Sequence, residues 1–296
     1  MLHELLYRPI RVVKERIDLS AWQPRNKSLI ITVAINGSLG TKDDNPNIPV
    51  TPEEIIEDAV ACCEAGASVV HIHARTPDQK PSHDYDFFAK CIEGIRDNCD
   101  IITQISTGSR GNVDRETRVQ AADLKPDMMS LNSGCCNFPD RPYINSLSDI
   151  EYWLGEMRKY SVIPEIECFD LSHLYTGLDM AEKGLIDKPL IFNIILGMHG
   201  ALPFTPKNFM HMWDIVPEDA LVNSIGVGRY QLPATTLSTV LGGMVRVGLE
   251  DNQYYAYKVL ASNVQLVERA VRIGKELQRD IATPAESRKL LGIKNS

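Results

Sequence analysis

The stretch "TPEEIIEDAVACCEAG" (residues 51–66) runs directly into "ASVVHIHA" (67–74), and these two patterns together decide the fold. The first carries apolar residues at helical spacing, with Thr51 as N-cap, Pro52 at the first helical position and Gly66 as the stop. The second is a short apolar run rich in β-branched residues, which is typical of a buried strand. A helix that leads straight into a buried strand is the repeating unit of an α/β protein.

The same alternation of apolar runs and amphipathic helices recurs along the chain. Eight strands that are each followed by a helix, with no linker midway, are typical of a (β/α)8 barrel. We therefore predict an α/β fold, a (β/α)8 TIM barrel, with residues 1–28 as a short N-terminal extension and residues 29–296 as the barrel domain. The predicted strands are 28–36, 67–74, 100–106, 127–132, 162–169, 189–196, 220–227 and 243–248.

A doubly wound open sheet is the competing architecture for such an alternation. That fold usually carries a GxGxxG turn after its first strand, and the turn here, "INGSLGTKDDN" (35–45), does not fit. A long closing helix is predicted over 252–278, and either Asp251 or Asn252 would cap its N-terminus.

Composition narrows the class of protein. The 296 residues are 44% hydrophobic and 24% charged, and the formal net charge of −8 argues against a nucleic-acid or membrane-surface binder. Seven cysteines without a CxxC pair indicate reduced thiols rather than a disulfide framework or a cysteine zinc site. No apolar run of about 18 residues and no signal-peptide pattern is present, so we expect a cytoplasmic protein.

His71 and His73 lie two residues apart at the end of a predicted strand, so their side chains share one face. In a barrel, function is located at the carboxyl ends of the strands, and closure places the eighth strand beside the first. Glu250 can therefore approach the histidine pair and complete a His2Glu set of the kind that binds catalytic zinc. The alternative is two buried polar residues that only form hydrogen bonds.

The adjacent carboxylates Glu250 and Asp251 need a nearby cation, and Arg246 and a metal ion would both serve. Asp251 is a candidate general base or, alternatively, a helix cap. Arg246 is a candidate clamp for an anionic intermediate or, alternatively, a structural ion-pair partner of Glu165 or Glu167.

Three polar or glycine-rich segments also follow predicted strands. The segments "QISTGSRGN" (104–112) and "SLNSG" (130–134) offer hydroxyls and backbone N–H groups that suit an anion, or they are polar turns. The segment "SIGVGRYQLP" (224–233) either approaches a phosphate-bearing cofactor with Arg229 or forms a tight turn into a helix. The isolated histidines are interpreted as structural or surface residues.

Taken together, the motifs resemble the β-keto acid cleavage enzymes. The resemblance extends from about residue 30 to residue 290, and the combination of motifs is specific although each one alone is not. The matching stretches are "NPNIPVTPEEI" (45–55), "HIHAR" (71–75), "QISTG" (104–108), "LKPDMMSLN" (124–132), "IPEIE" (163–167), "GVGRYQLP" (226–233), "GGMVRVGLEDN" (242–252) and "IATPAESRKLL" (281–291).

This resemblance implies a zinc-dependent TIM barrel, usually a homotetramer, that converts a β-keto acid and acetyl-CoA into acetoacetate and a new acyl-CoA. It implies that Asp251 is the base, with Arg246 as its electrostatic partner and Glu167 assisting. By the same matching, the metal ligands are His71, His73 and Glu250, and the residues that hold the carboxylate end of the keto acid are Ser106, Ser109, Ser130 and Asn132.

One position departs from the family. The family's enzyme for an aminated substrate has an acidic residue in a "TGAE"-like turn, where this chain reads "NGSL" (36–39) and places Leu39. We therefore expect a substrate side chain that is uncharged or anionic, contacted by Arg110 or packed on Leu39. The bulky His199 after the sixth strand is expected to reshape the pocket.

Two other functions are compatible with parts of the pattern. A metal-dependent hydrolase of the amidohydrolase type also uses HxH on a barrel strand, and His199 and Asp251 could be further ligands. That family, however, has HxH on its first strand and a histidine on its fifth, where this chain has Glu165 and Glu167. A non-catalytic metal-binding barrel is the third possibility, against which an open metal position beside a free carboxylate argues.

Overall fold

A computed structural model describes residues 24–109, 111–138 and 141–294 of the chain. Eight parallel strands form its central sheet, and each lies within one of the predicted runs, so the predicted TIM barrel is confirmed. The predicted extension (1–28) falls mostly outside the described residues, and its boundary stays a prediction. The barrel strands are Ile31–Ala34 (β1), Val69–Ile72 (β2), Ile102–Ile105 (β3), Met128–Asn132 (β4), Ile163–Cys168 (β5), Ile191–Leu196 (β6), Leu221–Gly226 (β7) and Val245–Val247 (β8).

The order of the strands around the barrel positions the site. β1 pairs with β2 on one side and with β8 on the other, so Ala34 lies opposite His71 while Thr32 lies opposite Arg246. The sheet runs from β8 through β1 to β7, and the Met244 N–H donates to the Val222 carbonyl (2.7 Å) across the remaining seam. The carboxyl ends of β1, β2 and β8 therefore converge at one sector of the mouth.

A helix follows each barrel strand, and the caps explain the helix limits. Thr51 accepts a hydrogen bond from the Glu54 N–H in a complete capping box, and Gly66 ends α1 in the left-handed conformation, as predicted. Within the described ranges, no helix has the length and apolar character required to cross a bilayer. The helices are Pro52–Ala65 (α1), Tyr85–Asn98 (α2), Arg115–Val119 (α3), Leu147–Lys159 (α4), Leu171–Glu182 (α5), Pro206–Ile215 (α6), Gln231–Leu241 (α7), Asn263–Glu276 (α8) and Pro284–Leu291 (α9).

The predicted closing helix over 252–278 is wrong in its first half. That half is a hairpin of Tyr254–Ala256 with Val259–Leu260, because its aromatic and β-branched residues favour strand over helix. Ser262, not Asp251 or Asn252, caps α8. Two further hairpins, Ala74–Arg75 with Pro81–Ser82 and Cys136–Phe138 with Arg141–Tyr143, extend the loops after β2 and β4.

The barrel interior changes character from its closed end to its mouth. Apolar side chains such as Ile30, Ile102 and Met128 fill the lower end. Above them lies a buried layer of amides and one carboxylate, which includes Gln104 and Glu165. Polar groups thus enter the interior only toward the carboxyl ends of the strands, where function is located in this fold.

Candidate active site

Two imidazoles and one carboxylate converge at the mouth of the barrel. The His71 Nε2 and His73 Nε2 atoms lie 3.3 Å apart, and they lie 3.7 and 3.3 Å from the two carboxylate oxygens of Glu250. One ligand atom from each of the three residues falls within 4.8 Å of the others. The predicted metal-ligand set is therefore brought together in space.

The layer beneath orients the histidines. The Gln104 Nε2 donates to Glu165 (2.9 Å), so the Gln104 Oε1 faces His71 and accepts from its Nδ1 (2.6 Å). This arrangement leaves the His71 Nε2 lone pair aimed at the cluster, and burial lowers the pKa of His71 to about 3, which keeps the ring neutral. Asn36 fixes the backbone of His73 from both sides, at 2.8 and 3.0 Å.

The backbone that leads to Glu250 lies so close to β1 that position 248 requires glycine. Its N–H donates to the Ala34 carbonyl (3.1 Å), and Gly248 precedes it at φ +133°, where an added Cβ would lie 2.1 Å from that same carbonyl oxygen. The Glu250 Oε2 is buried and has no hydrogen-bond partner. Two imidazole nitrogens and an unsatisfied carboxylate oxygen fit a divalent metal such as zinc, which would give the buried Glu250 Oε2 a partner.

Arg246 holds three carboxylates together and is itself fully buried. Its guanidinium lies 2.6 Å from Glu250, 2.9 Å from Asp251 and 3.4 Å from Glu167. Of the two predicted ion-pair partners, Glu167 therefore makes the contact and Glu165 does not. Burial alone would lower the pKa of Arg246, but these carboxylates raise it above its usual value.

Asp251 is held as a side chain facing the pocket, not as a helix cap. Both of its carboxylate oxygens accept from Arg246, at 2.9 and 3.1 Å, and its backbone carbonyl accepts from the Gly228 N–H at 2.7 Å. Burial raises the pKa of Asp251 to about 6 and that of Glu167 to about 8, against the opposing effect of Arg246. Carboxyl groups with such pKa values can gain or lose a proton near neutral pH.

The polar side of the pocket carries atoms without partners. The Ser109 hydroxyl and both amide atoms of Asn132 are buried and unpaired, and both residues line the pocket. Ser106 also lines it, with its hydroxyl accepting from the Gly108 N–H (3.0 Å). Ser130 lies one layer below, outside the lining residues, where its hydroxyl accepts from the Thr107 N–H (3.2 Å). The unpaired atoms indicate a polar ligand group beside β3 and β4.

The opposite side of the pocket is an apolar surface that the sequence interpretation did not identify. Apolar residues at strand ends look like ordinary core, although their position at the carboxyl ends of predicted strands was a usable signal. We call this surface the apolar wall: Phe138, Phe169, Ile195, Met198, Ile225 and Val227.

Four other residues were predicted to contribute to the site. Leu39 lines the rim and is 63% exposed. His199 is exposed and is not a lining residue, so the expectation that it reshapes the pocket is not supported. Arg110 lies outside the described residues. Arg229 is exposed and donates to the Tyr230 hydroxyl (2.8 Å), and Gly228–Tyr230 forms a single 3₁₀ turn into α7, which favours the turn interpretation of this segment.

Comparison with known proteins agrees with this geometry. Residues 28–293 match the family model described as beta-keto acid cleavage enzyme. The chain is 40% identical over 270 residues to the 3-keto-5-aminohexanoate cleavage enzyme of Acetoanaerobium sticklandii, covering 90% of this chain and 99% of that one. It is 41% identical over 269 residues to the 3-oxoadipate:acetyl-CoA acetyltransferase of Cupriavidus necator, covering 89% and 94%.

A solved structure supports the fold independently. The binary complex of ObcA with oxaloacetate aligns with a TM-score of 0.72 at 17% sequence identity, covering 84% of this chain and 68% of that one. At this identity the likeness concerns the barrel alone.

Proposed function

The chain belongs to the beta-keto acid cleavage enzyme family, and we propose that it exchanges acyl groups between a β-keto acid and acetyl-CoA. In this reaction the bond between C2 and C3 of the keto acid breaks, and C2 forms a new bond to the acetyl carbonyl carbon. The CoA sulfur leaves the acetyl group and ends on the former C3 acyl group. The products are acetoacetate and a new acyl-CoA, without oxidation or reduction.

One observation carries this proposal. Arg246 holds Asp251 in place beside the three convergent metal-ligand candidates, which are His71, His73 and Glu250. A zinc ion held by these three residues would polarise the ketone oxygen of the substrate. Asp251 would accept the proton that leaves C2 and return it after the C2–C3 bond has broken.

The other polar residues would bind and orient the substrate. The unpaired Ser109 hydroxyl and Asn132 amide would donate to the substrate carboxylate, together with Ser106. Arg246 would keep Asp251 aligned, and Glu167 would complete the charge balance around the guanidinium. Ser130 supports the Thr107 backbone and would act on the carboxylate site indirectly.

The identity of the keto acid is not indicated by overall similarity, because relatives named for an aminated and for a dicarboxylic substrate are about equally similar. Leu39 at the rim offers no carboxylate to an ammonium group, so we propose a substrate side chain that is not cationic. Zinc as the metal and a homotetrameric assembly are also proposals that follow from the family resemblance. A cytoplasmic location is proposed from the cysteine pattern and from the lack of a signal-peptide or long apolar run.

The hydrolase alternative requires ligands that the geometry does not favour. Among the described residues, the metal-ligand group comprises His71, His73 and Glu250, while Asp251 is bound by Arg246 and His199 is exposed. A non-catalytic barrel would not need the unpaired polar atoms at Ser109 and Asn132.

The direct test is acetoacetate formation by the zinc-loaded protein from acetyl-CoA and a panel of β-keto acids. We expect about one zinc ion per chain and a fall in kcat/KM of roughly 1000-fold in Asp251→Asn, the size of a general-base contribution. Asp214→Asn, an exposed aspartate on α6, is the matched control. Full metal content without acetoacetate from any keto acid would overturn the proposal.

A further inference from the structure

We infer that the substrate is a β-keto acid whose side chain is a short, uncharged alkyl group, and that the apolar wall selects it. This inference rests on the proposed function, since it concerns the same pocket. It goes further, because the leucine at the rim excludes only cationic side chains, whereas the apolar wall also excludes anionic ones.

The apolar wall and the polar cluster contribute opposite surfaces to one pocket. Five of its six residues lie at or just after the carboxyl ends of β5, β6 and β7, with Phe169, Ile195 and Ile225 buried there, and Phe138 lies on the hairpin after β4. The ligand cluster comes from β2 and β8. A keto acid whose carbonyl and carboxylate oxygens face the polar cluster would therefore direct the group on its C3 carbon toward the apolar wall.

The wall is held rigid by aromatic packing. Phe138 stacks on Tyr143 with ring centroids 4.4 Å apart, and both meet Phe169 edge to face at 6.4 Å. Tyr143 in turn lies beneath the guanidinium of Arg118 at 5.7 Å. Rings packed in this way cannot readily turn aside to admit a solvated charge.

The charges of the lining residues leave no partner for a charged side chain. In the described part of the pocket, the only arginine is Arg246, whose guanidinium already serves three carboxylates. Arg118 lines an adjoining groove, not this pocket, and its guanidinium donates to the Thr107 and Ile144 carbonyls and to Asn145. Among the described lining residues, a second carboxylate on the substrate would thus find no free cation, and burial without one is strongly unfavourable.

The size of the pocket limits the length of the alkyl group. Its volume of about 150 Å³ equals that of an engineered cavity that accepts one benzene ring. We therefore expect a tail of about two to four carbons on C3 beside the polar head of the substrate, because a longer chain would extend beyond the pocket. The expected substrates are therefore acids such as 3-oxopentanoate, 3-oxohexanoate and 3-oxoheptanoate.

The test compares three six-carbon keto acids that differ in one group on the C3 side chain. These are 3-oxohexanoate, its dicarboxylic counterpart 3-oxoadipate and the cationic 5-amino-3-oxohexanoate, each assayed with acetyl-CoA and the zinc-loaded protein. We expect kcat/KM for 3-oxohexanoate to exceed that of either charged acid by at least about 100-fold. We also expect a gain of roughly 4-fold for the methylene added between 3-oxopentanoate and 3-oxohexanoate. Equal or faster turnover of a charged acid would overturn the inference.

A variant of the wall makes the test reciprocal. Met198 is half-buried, so Met198→Lys can place an ammonium at the wall while its alkyl stem keeps part of the packing. We expect the ratio of kcat/KM for 3-oxoadipate to that for 3-oxohexanoate to rise at least about 10-fold. Met198→Leu, the neutral control, should retain the wild-type order of substrates, and thermal unfolding verifies that both variants fold.

Binding separates the inference from the proposed function. Calorimetric titration of zinc-loaded Asp251→Asn with the same three acids reports the preference of the pocket without turnover. Tighter binding of 3-oxohexanoate supports the apolar wall as the selecting surface. This holds even if the wild-type protein forms no acetoacetate, an outcome that overturns only the proposed reaction. Tighter binding of a charged acid overturns the inference, whatever the turnover.

Discussion

Glu165 and Glu167 lie two residues apart on β5, point into the same barrel and are both buried, yet their surroundings differ in kind. Glu165 accepts hydrogen bonds from three neutral amides, those of Gln104 (2.9 Å), Asn223 (2.9 Å) and Asn193 (3.3 Å). Glu167 lines the pocket and has one long contact, 3.4 Å, with the guanidinium of Arg246.

The difference separates a carboxylate that supports the site from one that can take part in it. Neutral amides hold Glu165 on both oxygens, and through Gln104 the same carboxylate orients His71. Glu167 shares a cation with two other carboxylates, and burial raises its pKa to about 8. One layer of the barrel interior thus holds its carboxylate with hydrogen bonds from three amides, and the layer above it keeps unpaired groups for a ligand.

The largest effect that this comparison predicts is on stability. Glu165→Leu leaves three buried amides without their acceptor, so we expect a loss of about 4 kcal/mol in the free energy of unfolding. Glu167→Leu removes only one long contact and a costly buried charge, so its loss should stay below about 1 kcal/mol. Urea denaturation of the two variants measures the difference, and similar losses would show that the layers are not distinct.

The second prediction concerns activity, for which Glu167 is expected to matter more than Glu165. Glu167→Gln should lower kcat by about 100-fold, roughly 2.7 kcal/mol, because an amide cannot gain or lose the proton that a carboxyl group with a pKa of about 8 exchanges near neutral pH. Its unfolding free energy should change by less than about 1 kcal/mol. Measured kcat within threefold of wild type would assign Glu167 to structure, not to the reaction.

The two glutamates also mark how far the sequence alone could reach. Alternation along a strand places both on the same face, and no spacing rule tells which one Arg246 contacts. The contact depends on the register between β5 and β6 and on barrel closure, which bring Arg246 to the level of Glu167. The metal-ligand set could be predicted with less structural information. The sequence places the two histidines on one strand, and the fold class alone places β8 beside β1.

Other errors have equally specific physical causes. The segment after Asp251 has the spacing of a helix, but its tyrosines and Val259 favour a hairpin. The helix begins only after the capping box at Ser262. The apolar wall was missed because only polar residues were considered at the strand ends, although the position of Ile195 and Ile225 at the carboxyl ends of predicted strands already placed them at the mouth. The sequence pattern therefore predicted the barrel fold and the cluster of charged residues, whereas the rest of the pocket surface was found only from the three-dimensional structure.

The third prediction tests whether the lower layer acts on the upper one. Gln104→Leu removes the acceptor of the His71 Nδ1–H, so zinc affinity should fall by 10- to 100-fold, about 2 kcal/mol. Asn193→Leu is the matched control, because Asn193 contacts Glu165 at 3.3 Å but has no recorded contact with His71. Competition with a chromophoric chelator measures both affinities. An equal loss in the two variants would mean that general destabilisation, not the orientation of the imidazole, sets the affinity.

The smallest effects are expected at two serines near neighbouring strands, of which one has a hydrogen-bonded hydroxyl and the other an unpaired one. The Ser130 hydroxyl is paired with the Thr107 N–H, so Ser130→Ala should cost about 1 kcal/mol of unfolding free energy and change KM little. The Ser109 hydroxyl is buried without a protein partner, so Ser109→Ala should not destabilise the fold and is expected to stabilise it slightly. Its KM for the keto acid should instead rise about fivefold, close to 1 kcal/mol, because one hydrogen bond to the substrate carboxylate is lost. Parallel melting curves and steady-state kinetics on the two variants decide the matter: a KM effect confined to Ser130→Ala would place the substrate carboxylate one layer deeper than the unpaired atoms of Ser109 and Asn132 indicate.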